Sequence, residues 1–226
     1  MTTSASGSSW ALRVHAACDW VLWAMVLNAL WLLFTLAGAV ALGAGPATVA
    51  AAHLTRRRLR GEAFPALRTF ASVWRSEFLR ANAVLTPALV VTALLAAQAG
   101  SAVLTGTAGR PAGVVTITAA ALAFLLTALI APLYVHYELP LHRYLPTASR
   151  WMLRNLAHTA LLAVAAVAVG TASLALPGLV PFVSIGAWLS ISTALCLGFF
   201  TANDRLVAEH AAAPPTPSYP RSHQPA

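Results

Sequence analysis

Hydrophobic positions gather into five long runs, Trp20–Leu42, Ala83–Leu104, Gly113–Tyr137, Leu156–Leu176 and Leu179–Phe200, and none holds an Arg, Lys, Asp or Glu. An α-helix rises about 1.5 Å per residue, so each run is long enough to cross a hydrocarbon core of about 30 Å. In lipid the backbone must hydrogen-bond to itself, which makes such runs helices. The pattern predicts an all-α, polytopic transmembrane helix bundle of five spans. Residues 13–206 form its single domain, after a flexible N-terminus over 1–12. From 207 onward the chain loses apolar periodicity and collects Pro214, Pro215, Pro217, Pro220 and Pro225, the composition of a disordered tail over 207–226.

A different period appears between the first two spans. Phe64, Leu67, Ala71, Trp74 and Phe78 fall on one helical stripe, which Phe70 widens. Arg68 and Arg75 flank the apolar arc, where their stems can lie along lipid while the guanidinium groups reach phosphates. The stripe predicts an interfacial amphipathic helix over Phe64–Phe78. It suits anionic headgroups and a surface of the protein itself about equally, and a partner protein less well. Before it, Gly43-Ala44-Gly45-Pro46 is a strong break, and Ala47–Thr55 is apolar but short for a span. Five spans are the preferred count, with a re-entrant 46–58 segment as the variant.

Composition agrees with the membrane reading: 59% of residues are hydrophobic and 9% charged, against about 25% charged in an average soluble domain. The net charge of +8 comes entirely from Arg. Because these residues sit in loops beside spans, anionic lipid explains them and nucleic acid does not. Seven fall between spans one and two, three between spans three and four, and two after span five; only Arg13 and Arg110 lie on the other side. The positive-inside rule therefore puts the C-terminus in the cytoplasm of a bacterial cell and, with five spans, the N-terminus outside. Cys18 and Cys196 would then lie at opposite faces, beyond disulfide reach. Ala39-Val40-Ala41 resembles a signal-peptide cleavage site, but the apolar run before it is too long for a signal core.

Within the spans, Asn28 and Gln98 are the polar side chains that need partners, as interhelical links or as contacts for a solute. Gly186, Ser190, Ala194 and Gly198 recur every four residues, the spacing that lets helices approach closely in lipid. Pro87 and Pro132 predict kinks. The aromatic and ionisable cluster Tyr134–Tyr144 sits where membrane interfaces place such groups. There is no Lys for a Walker A loop, no GxSxG elbow, no HExxH and no intramembrane carboxylate. No catalytic, cofactor-binding or metal site is expected.

The blocks Asn28–Phe34, Gly45–Ala50 and Phe70–Phe78, with Leu139–Tyr144 and Arg154–Ala157, resemble the YesL family of bacterial integral membrane proteins, the DUF624 group, over about residues 15–200. The family has no established activity. Its members are often encoded beside carbohydrate ABC uptake systems and carbohydrate-degrading enzymes, so the resemblance implies a non-enzymatic accessory or assembly factor with membrane transport proteins as partners. Gly61-Glu62-Ala63 is too little for an ABC-permease coupling loop. The alternative is a small permease or channel subunit for an uncharged solute such as a sugar, in which a homo-oligomer pools the few polar side chains.

Overall fold

The computed structural model describes residues 5–212. They form eight α-helices: α1 Ala5–Ala37, α2 Ala41–Leu59, α3 Ala66–Ser76, α4 Phe78–Leu104, α5 Pro111–His136, α6 Tyr144–Arg154, α7 Leu156–Ala175 and α8 Ile185–Ala212. A short 3-10 turn, Leu141–Arg143, precedes α6, and a π-helical turn, Val180–Ser184, precedes α8. Among the described residues there is no strand. Five helices (α1, α4, α5, α7 and α8) are long and apolar enough to cross a membrane. This is an all-α membrane bundle.

The centre of the bundle is α2, the segment that hydropathy alone leaves out. It has 19 residues and a length of about 28 Å, and it packs against α1, α3, α4, α5 and α8. Gly43, Ala47, Ala51 and Thr55 are all buried, so the small-residue spacing noted in the last span also runs along α2. Small side chains let neighbouring backbones close in. Ala47, Ala50, Ala51 and Leu54 face a cluster with Trp23, Leu27, Leu30 and Phe70. Val49 and Ala52 face a second cluster with Leu85, Leu129, Ile130 and Phe200. One helix therefore walls both cores.

Local chemistry sets the limits of α2. Gly38-Ala39-Val40 turns the chain back, with Ala41 N–H donating to the Ala39 carbonyl at 2.8 Å across Val40. Val40 has φ 65° and ψ −65°, a γ-turn geometry that strains a β-branched residue. At the far end Gly61 takes φ +72°. Gly61 N–H reaches the Arg58 carbonyl, and Glu62 N–H reaches that of Arg57, which closes the helix and satisfies its last carbonyls. Arg56, Arg57 and Arg58 occupy the last turn, where cations suit the helix dipole.

Antiparallel pairing of α1 and α2 corrects one expectation. Trp31 donates to Thr48 at 3.0 Å, and further along Arg58 pairs with Asp19 at 2.6 Å. The start of the first span therefore lies at the same end of the bundle as the arginine cluster, not at the opposite end, because α2 runs back antiparallel to α1. Arg56 donates to the Val135 carbonyl, and His136 meets Asp204 at 2.9 Å. The ends of α2 and α5 and the C-terminal part of α8 gather at that same end.

The outer limits of the chain differ from the pattern reading too. Residues 5–12, expected to be flexible, continue α1, and 207–212 continue α8. The rest of the expected tail, 213–226, lies outside the described residues. Where an irregular loop was read before span four, α6 forms and buries Tyr144. The Tyr144 hydroxyl accepts from Leu139 N–H and donates to the Tyr137 carbonyl, both at 3.1 Å.

Ala51 is fully buried in α2, whereas Ala29 faces outward from α1. Ala51→Leu should overpack the hub and cost about 1–3 kcal/mol, and Ala29→Leu should be neutral. Thermal unfolding in mild detergent measures both; equal midpoints for the two variants would contradict the central position of α2.

Candidate functional site

Asn28 lies halfway along the first span and is 0% exposed. Its amide nitrogen donates to the Pro181 carbonyl at 2.7 Å, and its amide oxygen accepts from Gly186 N–H at 3.0 Å. Pro181 and Gly186 are five residues apart, the spacing of a π-turn, so the carboxamide fits between two backbone groups that such a turn would otherwise pair. Glycine is required at 186, because a Cβ there would collide with the Ala24 carbonyl. Both faces of the Asn28 amide are used, which ties α1 to the start of α8.

The other sequence-derived candidates separate. Gln98 is exposed on α4 and makes no interhelical link. It lies six residues before the end of that helix, within reach of the interface, so it does not share Asn28's need for a partner. Of the α8 stripe, Gly186 and Ser190 are buried, Ala194 is half-buried and Gly198 is exposed. Only its first half works as a packing seam.

The amphipathic segment is helical as α3, but its stripe is rotated. Phe70 is fully buried against α1 and α2, with the Phe34 ring tilted against it, its centre 5.0 Å from that of Phe70 and 5.5 Å from that of Trp74. Phe64 and Phe78 are half-buried, Phe64 meeting Trp23 at 6.0 Å and Phe78 meeting Trp74 at 4.9 Å. Leu67, expected on the apolar stripe, is 55% exposed, and Arg68 and Arg75 also face outward. The apolar face thus covers the protein's own core, because α1 presents the Trp23 and Phe34 rings and α2 the small side chains that it packs against.

Beside the Asn28 link lies a cavity of about 450 Å³ between the helices. Trp31, Thr48, Thr92, Phe124, Thr127 and Trp188 form much of its wall. Phe124 and Trp188 stack at 5.0 Å. Thr92 and Thr127 share a hydrogen bond of 2.8 Å, while Thr48 donates to the Ala44 carbonyl at 2.7 Å. These hydroxyls are already engaged, and every lining side chain is uncharged. Such a wall accepts an apolar or neutral group and offers no acid, base or nucleophile activated for chemistry.

One positioning residue escapes the hydropathy pattern. Asn82 donates to the Leu42 carbonyl at 2.9 Å and accepts from Thr86 at 2.7 Å, which docks α4 on the first turn of α2. It lies one residue before the second apolar run, outside the five runs that hydropathy marks. Its place ahead of a span was the available signal.

At the arginine end, Arg57 donates to Glu62 at 2.6 Å, and that hydrogen bond holds the Glu62 carboxyl below its ordinary range. Arg58 lies over the Trp23 ring at 4.6 Å, and Arg80 over Tyr134 at 5.3 Å. Tyr134 donates to Glu77 and Tyr137 to Asp204.

Asn28→Leu should leave the Gly186 N–H and Pro181 carbonyl without partners and cost about 1–3 kcal/mol. Gly186→Ala should cost at least as much, and Gln98→Leu nothing measurable. The readout is the unfolding midpoint in detergent; an unchanged midpoint for Asn28→Leu would show that the link carries no stability.

The family described as "Protein of unknown function, DUF624" matches residues 24–98, which run from Ala24 in α1 through α2 and α3 into α4. Among relatives, the uncharacterized protein YesV of Bacillus subtilis is 32% identical over 174 residues, covering 75% of this chain and 82% of its own. YesL of the same organism is 37% identical over 81 residues, covering 34% of this chain and 39% of its own, and YteU is 37% identical over 71 residues, covering 31% and 32%. No solved structure matches the chain. With the 24–98 match centred on the buried hub and the YesV likeness running over most of both proteins, the chain belongs to the DUF624 family.

Proposed function

We propose that this chain is a non-enzymatic membrane protein that acts by contact, as an accessory or assembly factor for an uptake system in the bacterial cell membrane, with carbohydrate ABC transporters as its partner class. The observation that carries this reading is the packing of α2. Ala47, Ala50, Ala51 and Leu54 are 0% exposed on the bundle axis, so the space a central solute path would use is filled with side chains. The carbohydrate assignment rests on the genetic company of the family. Surfaces available to a partner include the outer side of α3, with Leu67, Arg68 and Arg75, and the apolar outer face of α7, with Leu161, Val164 and Val167 exposed. A permease for an uncharged solute is the second reading, and the Trp- and Thr-lined cavity is what favours it.

In this reading the arginine-bearing end faces the cytoplasm, following the positive-inside rule. The start of α1 then lies in the cytoplasm with the end of α8. Cys18 is exposed near that end, so an impermeant thiol reagent should reach it only after permeabilisation. A cysteine placed at Gly109, in the turn between α4 and α5, should react from outside intact cells. Labelling of Cys18 from outside would overturn the orientation.

The accessory role predicts no sugar flux into liposomes that contain only this protein. Deleting the gene should change the amount or activity of an uptake system encoded beside it. Reproducible sugar entry, abolished by Thr92→Val in the cavity wall, would reject the accessory reading and establish the permease.

A further inference from the structure

Three arginines at the cytoplasm-facing end are engaged inside the protein. Arg58 is taken by Asp19, Arg57 by Glu62, and Arg80 donates to the Leu139 carbonyl at 3.2 Å. Arg56, Arg60 and Arg205 instead line one cleft of about 460 Å³, together with His136. They come from separate elements: Arg56 and Arg60 from the end of α2, His136 from the end of α5, and Arg205 from α8. Arg56 is fixed in place by one bond to the Val135 carbonyl, which leaves the rest of its planar group for a ligand.

The carboxylates nearby do not neutralise the cleft. Asp204 is bound by His136 at 2.9 Å and Tyr137 at 2.7 Å. Glu62 is held by Arg57 at 2.6 Å and approaches Arg60 only at 3.8 Å. Arg205 has no carboxylate partner among the described residues. The Thr201 hydroxyl donates to the Leu197 carbonyl at 2.8 Å, so the arginine N–H groups are the donors that face the cleft.

The remaining wall is apolar, formed by Leu59, Leu197 and the backbone of Gly198. A Cβ at Gly198 would meet no atom within 4 Å, so this part of the wall is open. A rim of guanidinium groups, one of them held by the Val135 carbonyl, over an apolar wall matches a tetrahedral anion carried on an apolar molecule. Arginine N–H groups bind phosphate oxygens with charge-assisted hydrogen bonds. The wall shelters a glycerol backbone or the first methylenes of a chain.

We propose that the cleft formed by Arg56, Arg60 and Arg205 binds the phosphate of an anionic lipid headgroup. The shared chemistry is the phosphate, which a soluble phosphate compound could also supply, and the apolar wall favours the lipid. The inference does not depend on whether the protein assists a transporter or moves a solute.

The full chain in phosphatidylcholine nanodiscs, supplemented with phosphatidylglycerol, tests it by native mass spectrometry of retained lipid. Arg60→Gln and Arg205→Gln should each weaken phosphatidylglycerol retention by about tenfold. Gly198→Leu should do the same with charge unchanged, by filling the cleft. Arg150→Gln, on the exposed side of α6, should have no effect. Equal losses for Arg150→Gln and the cleft variants would mean diffuse attraction to basic surface and overturn the site. Unchanged retention in Arg60→Gln and Arg205→Gln would overturn it too, and these two exposed positions keep the test valid if Gly198→Leu fails to fold. Displacement of the lipid by millimolar inorganic phosphate would overturn the lipid assignment in favour of a soluble phosphate ligand.

Discussion

Everything in this bundle depends on how closely other helices can approach α2. Lipid tails are as apolar as Leu, so helices in a membrane gain little from hiding apolar surface and associate through close packing and hydrogen bonds. A central helix that touches five neighbours must therefore be slim. The run from Gly43 to Thr55 meets that demand with Gly and Ala at most of its buried positions. Larger side chains come from the neighbours: Trp23, Leu27 and Phe70 on one side, Leu85, Leu129 and Phe200 on the other. The 24–98 family match covers this hub and the helices leading into and out of it.

Polar side chains then fix the register that packing alone leaves loose. Asn28 joins α1 to the π-turn before α8, and Asn82 joins α4 to the start of α2. Each donates its amide N–H to a backbone carbonyl at an irregular point, one in the turn that precedes α8 and one at a helix start. In hydrocarbon those groups would otherwise stay unpaired, so the cost of losing a partner enforces a single arrangement. The cavity beside Asn28 lies among α4, α5, α7 and α8, lined by rings that stack and hydroxyls that pair.

The basic end of the molecule is not uniform. In composition the arginines form one positive field, yet the fold divides them. Some brace the protein: Arg58 holds α2 to α1, and Arg56 holds it to α5. Others, such as Arg68 and Arg75 on α3, face outward. Arg60 and Arg205 border a cleft with an apolar wall. A guanidinium group suits all three situations because it stays charged and offers five donors in a fixed fork.

The sequence by itself determined the class of protein, the five long apolar helices and the family, because span length and the lack of charge are local properties. It also singled out Asn28, since a lone amide in a long apolar run must find a partner. It could not rank Asn28 above Gln98: both are amides in apolar runs, and only packing turned one inward and left the other exposed. The amphipathic period at Phe64–Phe78 revealed a helix, but lipid and protein satisfy the same stripe, and the rings of α1 settled the matter by taking Phe70. Hydropathy passed over α2 because a buried helix of Ala and Gly that ends in three arginines scores as neither span nor loop. Only tertiary structure could show that it returns the chain to Asp19, since which helices pair is decided by contacts between residues far apart in the sequence.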